Sequence, residues 1–242
     1  MRTLTHIAAY APLVLLTIGC GRLFGEHVRG AGDVEKKTLT VASFHGIVVD
    51  GPMDVVLAQG PVQSVVLEAQ PNIAALVTTE VKDGTWTIAT SKNFSTYKTF
   101  VVRISAPTID VVEVEGSGDV KGTGRFTGDA IRLEVDGSGG IVIACDMKTI
   151  DASVSGSGNI RISGSCTSLK VAVGGSGDID AHGLRTVDAR ADVSGSGDIA
   201  LNATGEVDAS VNGSGGITIH GTPVDVRRNV VGSGDVRTVG AE

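Results

Sequence analysis

Between Ile131 and Ile219 apolar residues recur at every second position in short paired segments. The first member of each pair reads Ile131-x-Leu133-x-Val135, Ile150-x-Ala152-x-Val154, Leu169-x-Val171-x-Val173, Ala189-x-Ala191-x-Val193 and Val207-x-Ala209-x-Val211. The second is shorter: Ile141-x-Ile143, Ile160-x-Ile162, Ile179-x-Ala181, Ile199-x-Leu201 and Ile217-x-Ile219. A period of two with the apolar residues on one side predicts strands with one buried face. The intervening positions are mostly Asp, Arg, Lys, Ser and Thr, which suits a solvated outer face.

The same tripeptide joins every pair. Gly-Ser-Gly occurs seven times, as Gly116 to Gly118, Gly137 to Gly139, Gly156 to Gly158, Gly175 to Gly177, Gly195 to Gly197, Gly213 to Gly215 and Gly232 to Gly234. The steps between copies are 21, 19, 19, 20, 18 and 19 residues, and the fourth position is Asp119, Gly140, Asn159, Asp178, Asp198, Gly216 or Asp235. These are turn residues. Glycine suits a corner where backbones crowd and where φ can turn positive, and the serines can bond nearby backbone. A unit with two short strands cannot bury its apolar face alone but can do so stacked on copies of itself, so the repeat implies interdependent coils. The predicted fold is all-β: a single-stranded parallel β-helix with coils of about 19–20 residues. A β-sandwich would not need the same tetrapeptide at every second turn, and a propeller would need four-stranded blades of about 40 residues.

The body is expected over 39–242, with irregular coils and a cap over 39–110 and Gly-Ser-Gly coils over 111–242. Asp50-Gly51-Pro52-Met53-Asp54 stands in place of a Gly-Ser-Gly turn between Gly46-Ile47-x-Val49 and Val55-x-Leu57. Lys82-Asp83-Gly84-Thr85-Trp86-x-Ile88 predicts a hairpin. Trp86, Phe94, Tyr97 and Phe100 gather here, as expected where a solenoid must hide its exposed core. At the other end Arg228 falls at an inward position, so the regular stack is expected to stop there.

Ahead of the body, Met1-Arg2 and the apolar run Ile7 to Ile18 read as a secretory signal peptide over 1–19, too short to span a bilayer as a helix. Thr17-Ile18-Gly19-Cys20 resembles a bacterial lipobox, in which Cys20 is lipidated and becomes the new N-terminus. Residues 20–38 then read as a flexible tether. Gly21 after Cys20 resembles the signal of outer-membrane lipoproteins, with the surface or periplasmic face left open.

Charge and composition narrow the function. With a formal net charge of −7, only 3% aromatic residues and basic residues no denser than Lys36-Lys37 and Arg227-Arg228, nucleic acid is not an expected partner. The regular spacing of turns leaves no long insertion to wall a catalytic cleft, so a carbohydrate-active β-helix enzyme ranks below a non-catalytic reading. No residue set suggests a cofactor or metal. The Asp ladder at the fourth turn position reads as turn capping, and the third Gly of a dinucleotide motif is missing. His182 and His220 stand two coils apart, roughly 10 Å at the strand spacing, too far to share an ion unaided. Cys145 and Cys166 lie on adjacent coils of an exported chain and could pair after a small loop shift.

Taken together, Phe44-x-Gly46-Ile47 with Asp54-Val55-x-Leu57-x-Gln59-Gly60, Asp83-Gly84-Thr85-Trp86-Thr87-Ile88 and the serial Gly-Ser-Gly-Asp turns resemble the putative auto-transporter adhesin, head GIN domain family. The resemblance covers about Val41 to Ile219. It implies a β-helical domain, commonly on exported proteins, and brings no catalytic residues. The anchor expected is the lipid on Cys20 rather than a C-terminal translocator. The leading expectation is a non-catalytic envelope lipoprotein presenting its solenoid surface to a glycan or protein. The alternative is a structural or signalling accessory facing the periplasm. Self-association through solenoid ends or edges is also open.

Overall fold

A computed structural model describes residues 27–240, so the predicted signal peptide, Cys20 and the first part of the tether lie outside the described residues. The described chain is a parallel β-solenoid, as the repeat predicts. Each strand from Phe126–Val135 through Gly140–Val154, Asn159–Val173 and Ile179–Val193 runs parallel to the next, with one register shift, between Arg161 and Gly164. The apolar periodicity becomes a set of columns. Val55, Val120, Ile141, Ile160, Ile179, Ile199, Ile217 and Val236 stack one above another. Val49, Val114, Val135, Val154, Val173, Val193, Val211 and Val230 form a second column. Apart from Val230 and Val236 in the last coil, which are not fully buried, burying each such side chain contributes about 1.5–3 kcal/mol, and only while its neighbouring coil is present.

The long strands bend without breaking. In Gly140–Val154 the residues Ile141, Ile143, Cys145 and Met147 point inward, Lys148 and Thr149 are both exposed, and Ile150, Ala152 and Val154 point inward again. Thr167-Ser168 and Val187-Asp188 repeat this one-residue change of phase one and two coils on. It carries the inner face around a corner.

The Gly-Ser-Gly turns form the other corner. The carbonyl of each leading glycine accepts two N–H groups from the next coil: Gly116 from Ser138 and Gly139 (3.1 and 3.3 Å), Gly137 from Ser157 and Gly158 (3.1 and 3.2 Å). This pattern runs through Gly156, Gly175, Gly195 and Gly213 as well. The serine bonds through its backbone, leaving its side chain in an exposed row. A Cβ on any of the 14 turn glycines would lie 1.8–2.4 Å from a backbone oxygen of the coil before it. Close approach is therefore the reason for glycine throughout. Positive φ adds a second reason only at Gly213 (149°) and Gly232 (117°), fewer positions than the sequence reading supposed.

The N-terminal coils depart from chain order. Gly46–Val49 and Asp54–Gln59 make a coil directly under the first Gly-Ser-Gly coil, and Gly51 takes the place of a turn glycine by accepting from Ser117 and Gly118. The coil beneath that one is built from later residues, Thr85–Ile88 and Phe100–Ala106. The chain thus makes its second coil first, goes below it, and then climbs past it. Ser64–Ala69 pairs antiparallel with Phe100–Ala106, and Glu35–Thr38 pairs antiparallel with Ser64–Ala69. The tether expected over 20–38 is corrected on this point: Val28–Arg29 and Glu35–Thr38 are strands, because the cap offers sheet edges that satisfy their backbones. Trp86 is fully buried under Phe44 at 5.6 Å and donates its Nε1–H to Thr78 O at 3.0 Å, sealing this end.

At the C-terminal end the stack runs one coil beyond the expected stop. Asp225–Gly232 and Asp235–Val239 pair with the coil below. Arg228 does continue an inward column, above Ala209.

Candidate functional site

The strands after each turn present an outer face whose central column is Lys121, Val142, Arg161, Asp180, Ala200, Thr218 and Arg237. Three open depressions lie on it, one over the earlier coils and two side by side over the later ones. The largest, about 740 Å³, is lined by Asp119, Lys121, Val142, Asn159, Arg161 and Asp180 among others. A second of about 590 Å³ lies around Asp180, His182, Asn202 and His220. A third of about 380 Å³ includes Asp178, Asp198, Thr218, Asp235 and Arg237. Together they make a long, open face that mixes charged and polar side chains with apolar surface.

Repeat geometry fixes the side chains on it. The fourth turn residues act as coil-to-coil caps: Asp54 Oδ1 accepts from Asp119 N (3.2 Å), Asn159 Oδ1 from Asp178 N (3.0 Å), Asp178 Oδ1 from Asp198 N (2.8 Å) and Asp198 Oδ1 from Gly216 N (2.7 Å). Each of these side-chain oxygens thus has a backbone partner, as expected of turn capping. Oppositely charged residues stack across coils as Arg161–Asp180 (3.0 Å), Lys170–Asp151 (3.1 Å) and Arg125–Asp146 (2.9 Å). Such exposed pairs contribute about 0–1 kcal/mol each and mainly set the pattern of charge on the surface. Hydrogen bonds from Ser165 and Arg125 hold the Asp146 carboxyl below its ordinary value. Burial pushes Asp180 upward, but the bonds from His182 and Arg161 prevail and lower it.

The second glycines of six turns and the two cysteines singled out in the sequence are interior. Gly118, Gly139, Gly158, Gly177, Gly197 and Gly215 are buried corner positions with no side chain to offer a ligand. Cys145 and Cys166 are free and buried, so the pairing that their adjacent coils left possible is not made. Register explains this: Cys145 stands beside Gly164 and Cys166 beside Met147, so the two are offset diagonally by two residues. That puts their Cα atoms roughly 8 Å apart, outside disulfide reach. Burial, with smaller contributions from Cys166 and Asp146, raises the Cys145 thiol to about 12. Cys166 is also raised by burial, partly offset by its bond to Thr186 Oγ1 at 3.2 Å. Neither thiol is placed as a nucleophile.

His182 is the residue whose setting the sequence concealed. Ala181 pairs with Leu201 and Arg185 with Asn202, leaving His182, Gly183 and Leu184 unpaired with the following coil as a bulge. This absorbs the 20- and 18-residue coils that meet here. Its signal was the irregular step in the repeat. Among the described residues no group of three His, Cys, Asp or Glu side chains is placed to hold a metal, and no helix is long and apolar enough to cross a membrane.

No curated protein matches the chain. Among solved structures, one described as a putative adhesin from Bacteroides fragilis NCTC 9343 superposes with a TM-score of 0.84 at 25% identity, covering 88% of this chain and 100% of that one. A putative adhesin from Parabacteroides distasonis ATCC 8503 is similar at 27% identity and a TM-score of 0.73, with coverage of 88% and 100%. A structure described as a putative lipid binding protein from the same organism shares the fold at 20% identity and a TM-score of 0.75, again with coverage of 88% and 100%. Residues 43–223 match the family described as "Putative auto-transporter adhesin, head GIN domain", so the β-solenoid built on Gly-Ser-Gly turns belongs to that family.

Proposed function

We propose that this chain is an exported, lipid-anchored protein of the cell envelope that binds an extended glycan or polypeptide along the face of its post-turn strands, without catalysis. The observation that supports this most is the continuity of that face: three adjoining open depressions of mixed polar and apolar lining, on a parallel stack of coils. Such a surface suits an elongated partner contacted at many weak points better than a small substrate enclosed in a pocket. The similarity to adhesin-like proteins agrees with a binding role. Anchoring through Cys20, by resemblance to a lipobox, would hold the solenoid at the membrane by its capped N-terminal end.

Protease shaving of intact cells, with a Cys20→Ala strain beside the wild type, tests the reading. Expected is a membrane-bound wild-type protein that the protease removes, and a variant released from the membrane. Protection until the outer membrane is opened would overturn adhesion at the surface and favour a periplasm-facing structural or signalling role.

A further inference from the structure

His182 and His220 lie on the outer face on either side of Asn202, whose Nδ2 donates to His182 O (3.4 Å) and whose backbone pairs with His220. Two coils separate their backbones by about 9.6 Å, yet their ring centroids lie only 6.0 Å apart, with the planes tilted by 52°. The bulge at His182 to Leu184 frees the first imidazole from the ladder, and the two rings lean toward each other over Asn202.

Asp180 fixes the first ring. Its Oδ1 lies 2.5 Å from His182 Nδ1 and also accepts the His182 backbone N–H at 3.3 Å, while its Oδ2 accepts from Arg161 Nε at 3.0 Å. A neutral imidazole that gives its Nδ1–H to a carboxylate presents the Nε2 lone pair away from it, which is the arrangement of metal-bound histidines. With N–metal distances of about 2.0–2.1 Å, two imidazoles on one ion have centroids roughly 5–6 Å apart. The observed 6.0 Å stands at the upper end of that range.

We propose that His182 and His220 form a two-histidine site for a late divalent transition ion such as Zn²⁺ or Ni²⁺, with Asp180 as the positioning residue for His182. Imidazole donors select this class, whereas Ca²⁺ and Mg²⁺ require a shell of oxygens. Because the protein supplies two donors, the remaining coordination positions belong to water, and the ion exchanges readily instead of serving as a structural clamp. The site lies within the face proposed for binding, but ion uptake is tested without reference to that role.

Equilibrium dialysis of the untagged full chain against Zn²⁺ tests the site. One ion per chain is expected. His182→Gln and His220→Gln each weaken binding tenfold or more, and Asp180→Asn weakens it by about 10–100-fold. His45→Gln serves as control, since His45 lies at the other end of the solenoid beside Asp110 (2.7 Å), and it leaves binding unchanged. The conservative exchanges sit on the outer face, and an unaltered far-UV circular dichroism spectrum confirms that each variant is folded. The site is overturned if the wild type takes up no saturable Zn²⁺, or if the two glutamine variants bind as it does.

Discussion

Arg228 Nη2 donates to Thr238 Oγ1 at 2.6 Å across the mouth of the last coil. The two residues end inward columns: Arg228 stands above Ala209, and Thr238 above Ile219. Each thus replaces an apolar core residue with a polar one at the last described coil. Around them Val230, Val231 and Val239 remain exposed. A solenoid terminus carries unpaired strand edges and an open core, and polar or charged groups there discourage another chain from adding on.

Replacing Arg228 is therefore expected to expose this end. Arg228→Val completes the column with an apolar side chain and removes the charge. The variant is expected to fold and to elute as concentration-dependent oligomers, while the wild type does not. Light scattering across a dilution series reads the difference; a variant with the wild-type mass at every concentration would show that the Arg228–Thr238 pair does not guard the end.

Neighbouring glycines provide a sharp contrast. A Cβ on Gly175 would lie 2.1 Å from Gly156 O, whereas on Gly174 the nearest atom is Val154 O at 3.9 Å. Gly175→Ala is expected to cost about 2 kcal/mol or more, and Gly174→Ala to stay within about 0.5 kcal/mol. Denaturant melts of the two variants should separate clearly. Equal costs would mean that coil-to-coil crowding is not what selects glycine at the turns.

Glu113 gives the clearest pH effect. Burial first, then the charges of Glu134, Glu115 and Asp136, push its carboxyl above the ordinary value, and Arg132 offsets them only in part. The native state therefore binds this proton more tightly than the unfolded chain. Its contribution to stability is present below the ordinary carboxylate value and is lost as pH rises through the raised native value. Glu113→Gln should raise the melting temperature at about pH 7.5 and make little difference near pH 3. A gain of the same size at both values would point to a packing effect instead of titration.

Both interior thiols should resist modification. Burial and raised thiol values predict that Cys145 and Cys166 stay unreactive toward an alkylating agent in the folded protein. Both should react fully after unfolding without reductant. Mass spectrometry that found them joined would contradict the diagonal register in which Cys145 faces Gly164.

Much of this architecture could be read from one sequence because it is local and repeated. The alternation at Ile131, Leu133 and Val135, and the turn at Gly137, state the inner face and the corner, and stacking follows from their recurrence. Three things could not be read this way. The coil containing Trp86 slips beneath the one containing Ile47, a long-range choice that no local period records. The thiols differ by two residues in their distance from the preceding turn, and only register says whether a loop absorbs that difference or, as here, leaves Cys166 beside Met147. The approach of His182 to His220 depends on where an extra residue is accommodated, and the irregular coil lengths gave its presence but not its place.

The one-coil-at-a-time hydrogen bonding of the Gly-Ser-Gly corners also has a mechanical meaning. A pull along the solenoid axis loads the bonds between successive coils in series, so the terminal coil peels off before its neighbour is disturbed. Each released coil exchanges about 4.8 Å of stacked height for a slack chain of about 19 residues, reaching roughly 60 Å when taut. A stack held at one end and tugged at the other would therefore lengthen in discrete steps, shedding load while its remaining coils keep their shape.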